Sequence, residues 1–162
     1  MYSWSVFFHL ILVSFWLGGM LFTVAVLVPA TRKKLAEHKT LLFTELGYRF
    51  SRLSWIIFPL LVITGLLALT GRGFSMDTIL SANFWQTTYG GRLIIKLHIF
   101  GLVLIVSGIH DFWLGPKAVK LMDSEPGSSR TNLYRKATSW VGRVNLILGL
   151  AILAYAVKLV RL

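Results

Sequence analysis

Four stretches of the chain run almost unbroken in apolar residues, approximately 3–28, 53–71, 92–114 and 139–160. A helix needs about 20 such residues to cross a hydrocarbon layer of ~30 Å, and the second stretch reaches that only when counted through Gly71. Inside lipid every backbone N–H and C=O must find its partner within the segment, so runs of this kind predict helices. The pattern therefore predicts an all-α protein, an integral membrane four-helix bundle forming a single transmembrane domain over 1–162. The first run does not read as a signal peptide. It lacks a basic leading region, is too long for the apolar part of a signal, and shows no small-x-small cleavage site.

Composition agrees with the pattern. Hydrophobic residues make up 56% and charged residues 14%, against about 25% charged in a soluble domain. The formal net charge of +11 would invite a nucleic-acid partner if it sat on a soluble module, but the charges lie in the loops, where a lipid bilayer explains them. Cysteine is absent, which excludes disulfides, thiolate metal sites, iron–sulfur clusters and covalent c-type haem attachment.

The loop charges also orient the chain. Arg32, Lys33, Lys34, Lys39, Arg49 and Arg52 lie between the first two runs, and Lys117, Lys120, Arg130, Arg135 and Lys136 between the last two. Against these stand only Arg72 and Arg92 in the middle loop and Lys158 and Arg161 at the C-terminus. The positive-inside rule puts the first and third loops in the cytoplasm and both termini on the outer, periplasmic side of a bacterial inner membrane.

In that frame His9 and His98 each fall six residues inside an outer helix end, about 9 Å deep at ~1.5 Å per residue. A histidine in hydrocarbon is costly without a partner and marks a functional position by default. Two at matching depth point to one shared ligand, a haem or a metal ion. At about 100° per residue His9 shares a stripe with Val13, Trp16 and Met20, and His98 with Gly101, Ile105 and Gly108. Glycines beside a histidine let a flat macrocycle or another helix approach, and ordinary small-residue helix packing gives the same pattern. Lys96, four residues into the third run, either snorkels to the interface or pairs with an anionic group such as a haem propionate. Copper would use the same imidazoles, with Met20 or Met76 as softer ligands. Met20 lies about 16 Å along its helix from His9, too far for one ion.

A second polar group sits at the inner side: His110 and Asp111 end the third run, and Arg143 and Asn145 open the fourth. Asp111 pairing with Arg143 is the structural reading, and a quinone, propionate or second-cofactor site the functional one. No second histidine faces His110 from the first, second or fourth run, which argues against a second bis-histidine haem. His38 lies in a basic loop. No nucleophile–base pair or paired carboxylates occur in the spans, which argues against hydrolytic chemistry.

The first run reads WSVFFHLILVSFWLGGMLF, with Trp4 five before His9, Trp16 seven after it and Gly18-Gly19 following. The third opens GGRLIIKLH and the fourth reads GRVNLILGLAILAYAVKLVR. These segments resemble the CopD family of copper-resistance membrane domains, and are also similar to the HemJ-type protoporphyrinogen oxidases. The first resemblance implies a copper-associated role with helix-borne histidines as candidates. The second implies a b-type haem held through His9 and a functional lysine at Lys96. The HemJ pattern Asn-Glu-x-Pro is absent from the fourth run, which has Asn145-Leu146-Ile147-Leu148, so oxidase activity is not implied. The chain is also a bare four-helix unit, without the histidine- or methionine-rich soluble domain of larger copper proteins.

The resulting expectation is a membrane protein carrying one haem b on His9 and His98 and passing electrons from a quinol or periplasmic donor. Its site would be lined by Trp16, Lys96, Gly101, Ile105 and Gly108. Copper transport or resistance through the same histidines is the alternative, and a structural subunit of a larger membrane complex or homo-oligomer is the third.

Overall fold

Four long helices carry the four apolar runs in the computed structural model, which describes residues 2–32 and 35–160. The charges of Lys33, Lys34 and Arg161 lie outside the described residues. Helix α1 spans Tyr2–Ala30, α2 Lys39–Gly71 and α3 Thr88–Ser124, and α4 spans Ser129–Val160. No strand occurs among the described residues. All four helices are long and apolar enough to cross a membrane, and the chain is a multi-pass membrane protein.

The helices outrun their apolar runs. At 29, 33, 37 and 32 residues and ~1.5 Å per residue they measure roughly 44–56 Å, against a hydrocarbon layer of ~30 Å. Thus α2 begins at Lys39 rather than near Leu53, and α3 continues past Leu114 to Ser124. Hydropathy registers only the part of a helix that lipid solvates. The backbone hydrogen-bond ladder runs on into water wherever helix-forming residues follow.

Two prolines are absorbed within long helices. Thr23–Leu27 forms a π-turn just before Val28-Pro29, and His110–Leu114 forms another just before Gly115-Pro116. Proline has no N–H, and its ring crowds the carbonyl four residues back. Widening the preceding turn relieves that crowding, with the N–H of Val28 reaching the Thr23 carbonyl and that of Gly115 the His110 carbonyl. Gly115 suits this turn because a Cβ there would lie 3.1 Å from the His110 carbonyl oxygen.

By its contacts the chain divides into two compact units, Met1–Gly91 and Arg92–Leu162. In the first, α1 packs along α2, burying Trp16, Leu17 and Met20 of α1 and Ile57, Phe58 and Leu61 of α2. Trp16 meets Phe58 edge-on at 5.6 Å between ring centres. The stripe read from the sequence below His9 is thus the face α1 turns to α2. Lipid is as apolar as these side chains, so close packing and hydrogen bonds, rather than escape from water, hold the pair together.

Beyond α2 the chain crosses to α3 through three successive side-chain caps. Ser75 accepts from the Thr78 N–H, Ser81 from the Phe84 N–H and Thr87 from the Gly90 N–H, opening Met76–Leu80, Ala82–Gln86 and α3 in turn. Each cap satisfies a donor that a helix start leaves exposed. Gly90 packs against the preceding turn so closely that a Cβ there would overlap the Phe84 carbonyl. Arg72 ties this segment to α1: its Nε donates to the Tyr2 hydroxyl at 2.9 Å, and its guanidinium lies over the rings of Tyr2 and Tyr89.

In the second unit α3 and α4 are pinned at three levels. Arg92 Nη1 donates to the Lys158 carbonyl at 2.8 Å, Asn145 Nδ2 to Ser107 Oγ at 2.9 Å, and Thr131 Oγ1 to the Leu121 and Glu125 carbonyls. Thr131 and Val103 are almost wholly buried. Many large apolar side chains of both units remain exposed, among them Phe7, Phe15, Ile56, Leu102, Ile105 and Ile147, as a lipid-solvated surface requires.

Candidate metal-ligating histidines

His9 projects from α1 against α2, with Nδ1 2.8 Å from Thr64 Oγ1. The Thr64 hydroxyl has one proton and directs it to the Leu60 carbonyl at 2.7 Å. It therefore accepts from the ring, so His9 Nδ1 carries the hydrogen and Nε2 the lone pair. Gly65, next in α2, lies beneath the ring: a Cβ there would stand 3.5 Å from His9 Cε1, at ordinary contact. Threonine in a helix interior usually bonds back to its own helix, and Thr64 does so while also taking the histidine proton.

His98 is fixed the same way by a different acceptor. Its Nδ1 lies 2.7 Å from the Ile94 carbonyl one turn back in α3. A carbonyl only accepts, so Nδ1 again holds the hydrogen and Nε2 the lone pair. The ring is exposed in a shallow apolar groove along α3 formed by Ile94, Leu97, Gly101, Leu102 and Ile105. Beyond the backbone of α3 itself and the two adjoining residues, nothing stands within 4 Å of where a Gly101 Cβ would be. Gly108, further along the same helix, is partly buried. Metal-binding histidines characteristically donate their other N–H to a carbonyl, carboxylate or comparable acceptor, which fixes the ring and raises the basicity of the ligating nitrogen. Both histidines have that arrangement.

The remaining residues singled out in the sequence take several roles. Trp16 packs into the α1–α2 core. Lys96 is partly buried in α3, and no carboxylate pairs with it among the described residues. Met76 is exposed at the start of its short helix, and His38 is exposed before α2.

At the other end of α3 the structure brings Asp111 to His110 and Arg143 to Trp140. Asp111 Oδ1 accepts from His110 Nδ1 at 2.8 Å, with the carboxylate side chain 12% and the imidazole 34% exposed. Arg143 is exposed and lies over the Trp140 ring, 5.0 Å from its centre. Neighbouring residues of an α-helix do not face each other, but in the π-turn His110 and Asp111 meet, and the carboxylate has a donor at hand without reaching α4. Asn145 serves Ser107, and its Oδ1 is buried without a hydrogen-bond donor.

Thr64 and Gly65 are the residues sequence reasoning passed over. Their signal was a polar and a small residue adjacent in the middle of an apolar helix, which alone specifies no partner. Among the described residues no three histidine, aspartate or glutamate side chains gather to hold one metal ion.

The family described as Copper resistance protein D, CopD, matches residues 45–159 of the chain. The matched segment contains His98 and His110, and His9 precedes it. An uncharacterized protein of Aquifex aeolicus (strain VF5) is 30% identical over 154 residues, covering 94% of this chain and 91% of its own length. No solved structure matches.

Proposed function

The chain belongs to the CopD family, and on that premise we propose that it handles copper in a bacterial cytoplasmic membrane, with His9 and His98 as transient copper ligands. The observation that carries this reading is the shared arrangement: each ring donates Nδ1–H to an acceptor inside an apolar helix, as metal-ligating histidines characteristically do. Neutral imidazole suits copper. With one of these two imidazoles in each unit and no three-ligand cluster among the described residues, the arrangement favours brief holding and release over storage. Met76 supplies an exposed thioether, a soft donor for the reduced ion, on the same connecting segment as Arg72. The excess of basic residues in the first and third loops puts those loops in the cytoplasm and the termini in the periplasm.

Gly101 favours a second reading. With the His98 ring exposed in an apolar groove and no side chain at position 101, the face of α3 admits a flat macrocycle, and the same Nε2 would ligate a b-type haem. Such a group, when bound, supplies one-electron transfer. The chain itself would contribute the orientation of His98 by the Ile94 carbonyl and the positive charge of Lys96.

Elemental analysis and an optical spectrum of the purified protein separate these readings. Near-stoichiometric copper without a Soret band supports copper handling. A Soret band that sharpens to an α-band on dithionite reduction overturns it in favour of haem. Neither signal in a cofactor-replete preparation overturns both and leaves a structural subunit of a larger complex.

A further inference from the structure

The π-turn of α3 carries chemistry that the histidines already described leave unused. The two π-turns solve the same backbone problem, a proline following within the helix, yet their sequences differ. The first is Thr-Val-Ala-Val-Leu and the second His-Asp-Phe-Trp-Leu. The turn itself therefore has no need of ionisable residues. Placing a carboxylate and an imidazole near a membrane boundary, with the carboxylate 12% exposed, costs stability that apolar residues at the same positions would avoid. Such widened turns recur at functional positions.

The geometry of the pair is that of an oriented metal ligand. A carboxylate can only accept, so at 2.8 Å His110 Nδ1 donates and Nε2 holds the lone pair. A carboxylate behind a histidine fixes the ring and raises the basicity of the far nitrogen, as in carboxylate–histidine–metal arrangements. A second observation lies one turn away. Ser107 shares the α3 face of His110 and Asp111 by its spacing of three and four residues, and it receives Asn145 Nδ2. The other amide atom, Asn145 Oδ1, is buried without a donor. Asn145 thus brings to Ser107, one turn of α3 from His110, a polar acceptor that is left without a donor.

We propose that His110, oriented by Asp111 in the π-turn of α3, is a further copper ligand at the basic-loop end of the membrane span. This rests on the copper reading above and adds a station at the opposite end of α3 from His98. Asp111 is the positioning residue, and Asn145 Oδ1 accepts a hydrogen bond from water accompanying the ion.

The chain has four histidines, so the combined variant His9→Gln, His38→Gln, His98→Gln leaves His110 as its sole imidazole. Copper(I) is added anaerobically to this protein in detergent against a chromogenic copper(I) chelator. The expected result is one retained copper whose X-ray absorption shows imidazole scattering, with Asp111→Asn in the same background weakening retention roughly 10- to 100-fold. Loss of copper from this variant while the unaltered protein binds it overturns the inference and leaves the copper reading standing. The same holds for copper retained without imidazole scattering. No copper on the unaltered protein overturns both. Should the variant fail to fold, diethylpyrocarbonate labelling of the unaltered protein decides. Copper that shields His110 from carbethoxylation, read by peptide mass spectrometry, supports the site, and undiminished labelling overturns it.

Discussion

Thr64 accepts the Nδ1 hydrogen of His9 at 2.8 Å while its own hydroxyl proton goes to the Leu60 carbonyl at 2.7 Å. A single side chain of α2 thereby decides which nitrogen of an α1 histidine can bind a metal. Thr64→Val keeps the shape and removes the acceptor. Copper affinity is expected to fall about 10- to 100-fold, the usual effect of removing a partner behind a ligating histidine, with Thr64→Ser restoring most of it. Chelator competition measures the affinity. The ¹⁵N shifts of the His9 ring report the tautomer, and a Thr64→Val protein with unchanged affinity and shifts would refute the assignment.

His9→Ala and His98→Ala are each expected to reduce bound copper, whereas His38→Ala, in an exposed segment before α2, leaves it unchanged. Copper per chain by elemental analysis is the measurement. A loss confined to His38→Ala would move the site out of the membrane altogether.

Gly90→Ala places a methyl group against the Phe84 backbone carbonyl, an atom that cannot rotate away as a side chain could. The expected destabilisation is about 1–3 kcal/mol, the usual range for overpacking. Ser81→Ala, which removes one of the three successive caps, is expected to cost about 0.5–2 kcal/mol. Thermal unfolding in detergent checks both, and equal melting temperatures for wild type and Gly90→Ala would contradict the close packing.

The hydrogen bond to Tyr2 holds the Arg72 guanidinium above its already high ordinary pKa, with burial opposing it and Tyr89 adding to it. A cationic group with a raised folded-state pKa stabilises fully below its unfolded value and loses that contribution only as pH climbs through the folded one. Both lie at strongly alkaline pH. The difference in melting temperature between wild type and Arg72→Gln is therefore expected to stay flat from pH 5 to pH 9 (roughly the range in which histidines titrate instead). A difference that grew or vanished inside that range would show that another group governs the cluster.

The four spans were legible because lipid demands long apolar runs, and the stripe of Val13, Trp16 and Met20 was legible because a regular helix repeats predictably. The overhangs were not. Lys39–Arg52 intersperses its apolar residues with charged and polar ones, and hydropathy has no signal for a helix that continues into water. The π-turns were hidden because nothing in the residue string says that a widened turn before Pro29 or Pro116 lets the helix run on. The pairing of Asp111 with Arg143 was expected from their similar depth alone, and depth does not show that the π-turn brings His110 to the same carboxylate. Thr64 was visible as a polar residue in an apolar helix. Its partner was not, because the hydroxyl could as well have bonded only to its own helix, and the arrival of α1 is what gave it a second duty.

The overhang of α2 grades its cations by height. Counted from Leu53 at ~1.5 Å per residue, Arg52 and Arg49 lie about 1.5 and 6 Å along the helix axis, and Lys39 about 21 Å. Electrostatic reach in physiological salt is about 8 Å. Arg49 and Arg52 therefore stand within range of anionic headgroups beside the first polar layer, while Lys39 is carried clear of it on the same stiff rod. A change of ionic strength alters the first two contacts and leaves the third charge to whatever approaches from the water.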